Sequence, residues 1–205
     1  MEQEFSSQLL ENAVTALSRL PGVGRKTALR YAFHLLRQPK EIAQTLSESI
    51  SRLREDVQYC RKCHNISEQD LCPICADTRR DFSTVCVVET VKDVMIIENT
   101  RRYGGVYHVL GGLVSPVDGI SPDMLEIESL IRRAEEGEVA EIILATGATV
   151  EADTTNYFIF RQLSRRAPKV KVSQLARGVA IGNDLEYTDE ATLARSLQSR
   201  TPFEL

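Results

Sequence analysis

Cys60-Arg61-Lys62-Cys63-His64-Asn65-Ile66-Ser67-Glu68-Gln69-Asp70-Leu71-Cys72-Pro73-Ile74-Cys75 divides the chain into two unlike parts. The stretch is too polar and too small to fold around a core of its own, so something must staple it. Its two Cys-x-x-Cys pairs stand eight residues apart. Each pair presents two thiolates from one tight turn, and two such turns close a tetrahedral zinc site with ligands at about 2.3 Å. Zinc held by Cys60, Cys63, Cys72 and Cys75 is structural, because four thiolates leave no coordination position for water. The spacing is shorter than that of a full ribbon and predicts a small knuckle. Two disulfides or a redox dithiol compete for the same residues; an intracellular setting disfavours the first and the paired arrangement the second. His64 is surplus to a complete ligand set and reads as a surface residue. Cys86 lies in an apolar run and reads as a small buried hydrophobe.

Toward the N-terminus the pattern is helical. Leu9, Leu10, Ala13, Leu17 and Leu20 recur at helical spacing, Pro21-Gly22-Val23-Gly24 interrupts them, and Ala28, Tyr31, Ala32, Leu35 and Leu36 resume the period. This predicts a helix-hairpin-helix. Its glycines let a main chain approach a phosphate, and the second helix starts there with free N–H groups and a positive dipole end. Lys26 and Arg30, four apart, reach adjacent phosphates, so Gly22, Gly24, Arg25, Lys26 and Arg30 are the candidate DNA contacts. Gly22-Val23-Gly24-Arg25-Lys26-Thr27 also resembles a nucleotide-binding P-loop. Arg25 breaks the required Gly-Lys-Thr triplet and a helix precedes it instead of a strand, which argues against ATP. After Pro39, Ile42, Leu46, Ile50, Leu53 and Val57 form one apolar stripe, predicting a third helix packed behind the hairpin.

Toward the C-terminus, strand and helix alternate. Val85 to Val88, Val106 to Leu110, Glu141 to Ala145 and Val170 to Val172 read as strands; Val91 to Glu98, Thr154 to Arg166 and Asp189 to Ser199 read as helices. A long helix is predicted from Ser121 as N-cap, with Pro122 first, to Gly137. Such alternation implies a mostly parallel sheet covered on both faces. The fold class is α/β, with 1–58 a helical hairpin region, 59–78 the knuckle, 79–174 the sheet domain and 175–205 a tail with a helix.

Composition bounds the function. The chain has 205 residues, 42% of them hydrophobic and 26% charged, enough for a sizeable core. Apolar runs such as Cys86-Val87-Val88 fall far short of the roughly 20 residues that span a bilayer. The acidic start, Met1-Glu2-Gln3-Glu4, lacks the basic and apolar blocks of a signal peptide, so a cytoplasmic protein is expected. The net charge of −4 argues against nucleic acid until its distribution is read. Between Asn12 and Lys40 stand six basic residues and no acid, whereas Asp118 to Glu141 carries eight acids against Arg132 and Arg133. One end can bind phosphate while the whole stays acidic. A second acid-free stretch, Thr154 to Asn183 with Arg161, Arg165, Arg166, Lys169, Lys171 and Arg177, reads as a solvated face.

Glu89 follows the strand ending at Val88, and Glu151 and Asp153 are placed in the loop after the strand Glu141 to Ala145. Strand ends of a parallel sheet gather on one edge, so these carboxylates could meet there and hold Mg²⁺, or form an acidic edge that docks a basic partner. Catalysis by them is not expected. His108, on a strand, reads as a structural histidine.

In this order, hairpin, four-cysteine knuckle and acidic α/β domain, the chain resembles the RecR family of bacterial recombination mediators. The resemblance is carried by Leu20-Pro21-Gly22-Val23-Gly24-Arg25-Lys26-Thr27-Ala28, by Ala32-Phe33-His34-Leu35-Leu36, and by the four cysteines. Tyr107-His108-Val109-Leu110-Gly111-Gly112, Ser115-Pro116, Thr149-Val150-Glu151, Leu175-Ala176-Arg177-Gly178 and Asp184-Leu185-Glu186-Tyr187 extend it over nearly the whole length. It implies a Toprim domain from Val85 to about Val172 and a tail that helps close a ring, a homotetramer or dimer of dimers. It also implies a nucleoid-associated, non-enzymatic clamp on gapped, single- or double-stranded DNA of any sequence. With RecO and RecF, the clamp would load RecA. Arg25 stands where the family often has Pro, Gly147-Ala148 where Asn-Pro is usual, and Ala152 where Gly is usual. Catalytic Toprim enzymes pair a Glu with Asp-x-Asp; here Glu89 faces Glu151-x-Asp153, which fits docking. The rival is a Mg²⁺-dependent Toprim nuclease or topoisomerase-like enzyme, although no context marks Tyr103, Tyr107, Tyr157 or Tyr187 as its nucleophile.

Overall fold

Small residues at matched positions let the first two helices close on each other. In the computed structural model, which describes residues 7–182 and 184–202, Ala28 and Ala32 of α2 (Arg25–Arg37) meet Val14 of α1 (Gln8–Leu17). All three are buried, with Leu10, Leu17, Val23 and Leu29 packed around them. The acidic N-terminal stretch before Ser7 lies outside the described residues. A third helix, α3 (Lys40–Glu55), follows Pro39 as the sequence predicts. Its apolar stripe does not pack as expected: no residue of α3 is buried, and Ile42, Leu46, Ile50 and Leu53 are 44–66% exposed. A stripe shows which side chains seek cover, not what supplies it.

The three helices form one compact unit, Met1–Val57, and Gln58–Leu205 forms the other. The second unit opens with a short antiparallel pair, β1 (Gln58–Tyr59) and β2 (Ile66–Ser67), and one helical turn, α4 (Pro73–Ala76). Four parallel strands follow in the order β4-β3-β5-β6: β3 (Asp81–Val88), β4 (Gly105–Val109), β5 (Glu141–Leu144) and β6 (Lys171–Gln174). The crossovers carry α5 (Val91–Asn99), α6 (Ile127–Glu135) and α7 (Val150–Arg166), and α8 (Glu190–Gln198) lies in the tail.

Strand alternation sorts β3 between two faces. Val85 and Val87 join Leu130, Ile131, Ile159 and Leu163 from α6 and α7, while Cys86 and Val88 join Val94 of α5. The sheet is therefore covered on both faces, as expected. Among the described residues no helix is long and apolar enough to cross a membrane.

Two helix boundaries depart from the sequence reading. The run from Ser121 to Gly137 is broken: Pro122–Met124 makes one 3-10 turn, Leu125 is extended at φ −113°, and α6 starts only at Ile127. The reason is tertiary. Glu126 N–H donates to the Leu110 carbonyl at 3.0 Å, and the Glu126 carbonyl accepts from His108 Nε2 at 2.7 Å. These bonds to the end of β4 replace helical ones. Conversely, α7 begins four residues early, capped by Thr149, whose side chain accepts from Ala152 N–H at 3.2 Å. Glu151 and Asp153 thus sit in the first turn of a helix rather than in a loop, where its dipole favours their charge.

Candidate nucleic-acid interface and metal centre

In the hairpin turn, Val23 N–H donates to the Leu20 carbonyl at 3.0 Å, with Pro21 second and Gly22 third at φ +77°. That is the type II pattern, and its third position needs a positive φ, which glycine takes at least cost. Gly24 is the N-cap of α2 and brings no side chain to the first-turn N–H groups. Lys26 and Arg30 are both exposed and, one turn apart, line a groove of about 560 Å³ along α2 with Thr27, Leu29, Phe33, His34 and Arg37. Among the described residues no carboxylate lines it. The Arg30 guanidinium lies 5.6 Å from the Tyr31 ring centre, a cation–π contact. Arg37 and His34 belong to this surface and were not among the sequence candidates. Continuing from Lys26 and Arg30 at helical spacing would have reached them.

The second acid-free stretch behaves otherwise. Arg166 grips Glu128 and Glu135 at 2.7 Å each, Lys171 pairs with Glu141 at 3.2 Å and Arg177 with Asp153 at 2.7 Å. These cations close the fold's own acids.

The four cysteines come together as their spacing predicts. Their sulfurs all lie within 4.8 Å of one another, and none of the residues is more than 5% exposed. Cys63 and Cys72 Sγ are 3.5 Å apart and all the cysteines are free thiols, so no disulfide competes. The first turn is closed by His64 N–H to the Cys60 carbonyl at 2.9 Å, and the second by Ala76 N–H to Cys72 at 3.0 Å. Crowding separates the thiols: the bond donated by Cys63 pulls the Cys72 thiol down, and that same bond pushes Cys63 up. A buried tetrahedron of sulfur donors fits Zn²⁺, which would take all four as thiolates and serve structure.

The knuckle is seated on the sheet. Val109 N–H donates to the Cys63 carbonyl at 2.8 Å, Lys62 lies 4.8 Å over the Phe82 ring, and Ile74 packs into the core on both faces. His64 is not the surface residue expected: it takes φ +60°, lies edge-on to His108 with ring centres 5.1 Å apart, and sits 3.4 Å from Glu126.

His108 is 1% exposed, and burial pulls its imidazole down to about 3, with the Glu126 carbonyl opposing. It is neutral and structural, as its place on a strand predicts. The unfolded chain binds a proton near pH 6.5 and the folded one does not until about 3. Stability is therefore present above pH 6.5 and lost as pH falls through that window, by at most about 1.4 kcal/mol per pH unit. Urea midpoints from pH 7 to 5 should fall, and His108→Phe should flatten that fall; parallel curves would refute the assignment.

Glu89, Glu151 and Asp153 do not gather. Among the described residues the four cysteines are the only group of three or more such side chains close enough to share an ion. Burial, then the charge of Asp93, pushes the Glu89 carboxyl up; the Arg177 guanidinium holds that of Asp153 down. Arg177 is 15% exposed on its side chain and its role was not legible in sequence.

Residues 10–54 match the family described as RecR, helix-hairpin-helix; 57–77 match the RecR four-cysteine zinc finger domain; 83–176 match the Toprim domain; and 178–201 match RecR, C-terminal. The chain is 54% identical over 203 residues to Recombination protein RecR of Bacteroides fragilis, covering 99% of this chain and 98% of that one. It is 55% identical over 203 residues to the protein of the same name from Porphyromonas gingivalis (99% and 97% covered). With that of Flavobacterium johnsoniae the identity is 50% over 201 residues (98% and 97%).

Proposed function

Since this chain belongs to the RecR family of recombination proteins, we propose that it serves recombinational repair as a non-enzymatic DNA clamp, gripping the sugar-phosphate backbone through the hairpin. The observation that carries this reading is the exposed, acid-free groove at the start of α2, where Lys26 and Arg30 stand beside the Gly22 turn. Backbone contact is the chemistry needed by a protein that must hold any sequence. Gly22, Gly24, Arg25, Lys26 and Arg30 make that contact, and Cys60, Cys63, Cys72 and Cys75 hold the zinc.

The acidic edge around Glu89, Glu151 and Asp153 receives a basic surface of RecO or RecF, which then promotes RecA loading on gapped DNA. Among the described residues these carboxylates are not close enough to share an ion, and Asp153 is paired with Arg177, which speaks against Mg²⁺ catalysis there. The uncovered stripe of α3 supports assembly with further copies into a ring.

The experiment is a salt titration of binding to gapped duplex. The slope of log K against log salt should shrink by about 2 when Lys26→Ala and Arg30→Ala are combined, with binding weakened for all sequences alike. An unchanged slope would remove the hairpin from the interface. The same protein should be a tetramer by solution mass and should stay on closed circles while slipping from linear DNA. Equal retention on both argues against a ring. Mg²⁺-dependent cleavage abolished by Glu89→Gln would show an enzyme instead.

A further inference from the structure

Arg133 is 8% exposed on α6, flanked by the buried apolar wall of Leu130, Ile131 and Ala134. A buried guanidinium needs a counter-charge, and the usual one is a carboxylate. None of the ion pairs among the described residues includes Arg133. Its Nη1 donates to the Tyr107 carbonyl at 2.9 Å, and its Nη2 is buried with no hydrogen-bond partner.

The free edge of β4 shows where that group lies. Leu110 N–H turns inward to Val88 at 2.9 Å, so by strand alternation Tyr107 and Val109 present their backbone groups on the outer edge. There Val109 N–H donates to the Cys63 carbonyl and the neighbouring Tyr107 carbonyl accepts from Arg133. The guanidinium and the first cysteine turn therefore sit side by side. Burial pulls Arg133 down from its ordinary range, and the groups that act against this are Cys75, Cys63, Tyr103 and Cys60, in that order.

We propose that Arg133 is the buried counter-charge of the zinc–tetrathiolate centre. Zn²⁺ bound by four thiolates carries two formal negative charges in a place with little water. A fixed cation beside it offsets that excess and lowers the electron density on sulfur, which keeps the thiolates from being protonated and the metal from leaving. The same charge satisfies the arginine. Sequence could not show this, because Arg133 stands in an acid-rich run and reads as one more surface cation.

The inference rests on the zinc assignment, and the test separates the two. Metal analysis of the unsubstituted protein should find one zinc per chain; its absence would overturn both. Arg133→Gln keeps an N–H donor for Tyr107 but no charge, Arg133→Met keeps only bulk, and Arg133→Lys keeps the charge. Zinc transfer to a colorimetric chelator should quicken roughly tenfold or more in Gln and Met, the size of effect common for groups behind metal ligands, and far less in Lys. In the cobalt(II)-substituted protein, the sulfur-to-metal charge-transfer band should move to lower energy in Gln and Met and stay near its native place in Lys. A merely structural arginine would lower the thermal midpoint with and without metal, leaving the band unmoved and the three release rates alike; that result overturns the proposal. If the Met form does not fold, the Gln and Lys pair decides.

Discussion

Stripping the zinc with a strong chelator should unfold the knuckle and lower the thermal midpoint of residues 58–205 by roughly 10 °C or more, a loss of about 4 kcal/mol or greater. The size follows from how little else holds residues 58–77. Their buried cluster is Cys60, Cys63, Cys72 and Cys75 themselves, with only Leu71 and Ile74 packed against it. Without metal the four thiols are buried polar groups with each other for company, and the turns that present them keep only a few backbone hydrogen bonds and the short β1–β2 pair. The damage spreads, since the knuckle also supplies the Cys63 carbonyl to Val109 and Ile74 to the cores on both faces of the sheet. Cys72→Ser should act in the same direction. Reductant alone should do nothing, because no disulfide is present. A midpoint unmoved by chelation, or one moved by reductant, would contradict the metal staple.

The second large effect is expected from one methyl group. A Cβ placed on Gly105 would stand 2.6 Å from the Thr84 carbonyl oxygen and in collision with the Tyr103 hydroxyl. Thr84 is backbone of the neighbouring strand and cannot step aside as a flexible side chain could. Tyr103 is pinned too, its hydroxyl 3.0 Å from both the Thr84 and the Val106 carbonyls. Gly105→Ala should therefore cost about 3 kcal/mol or more, at the upper end for overpacking. Gly104→Ala is the control: an added Cβ there meets nothing within 4 Å, and the change should fall within about 0.5 kcal/mol. Equal denaturation midpoints for the two variants would show that β3 and β4 are less tightly joined than the structure has them.

What the sequence revealed depended on whether the signal was local. The hairpin and the cysteine tetrahedron are specified by residues within a few positions of one another, and both formed where their spacing put them. The parallel sheet was legible because a strand buried on both faces must be apolar throughout, as in Val85 to Val88. The misreadings came from tertiary partners. Ser121-Pro122 is a sound helix start, yet the bonds from Leu110 and His108 to Glu126 divide the helix. Glu151 and Asp153 looked like loop acids because the Thr149 cap is a weak signal beside Gly147. Arg177 reads as part of a solvated face, and Arg133 only as one of two cations in an acid-rich run. A charge run gives a count, and only folding shows which members face inward.

On the outer edge of β4 two neighbouring backbone groups, the Val109 N–H and the Tyr107 C=O, are occupied by Cys63 and Arg133 rather than by another strand. An uncovered strand margin is a template on which a second polypeptide can extend the sheet. The cysteine module thus covers part of that margin, and a chain stripped of its metal is expected to scatter more light at a given concentration than the metal-bound one.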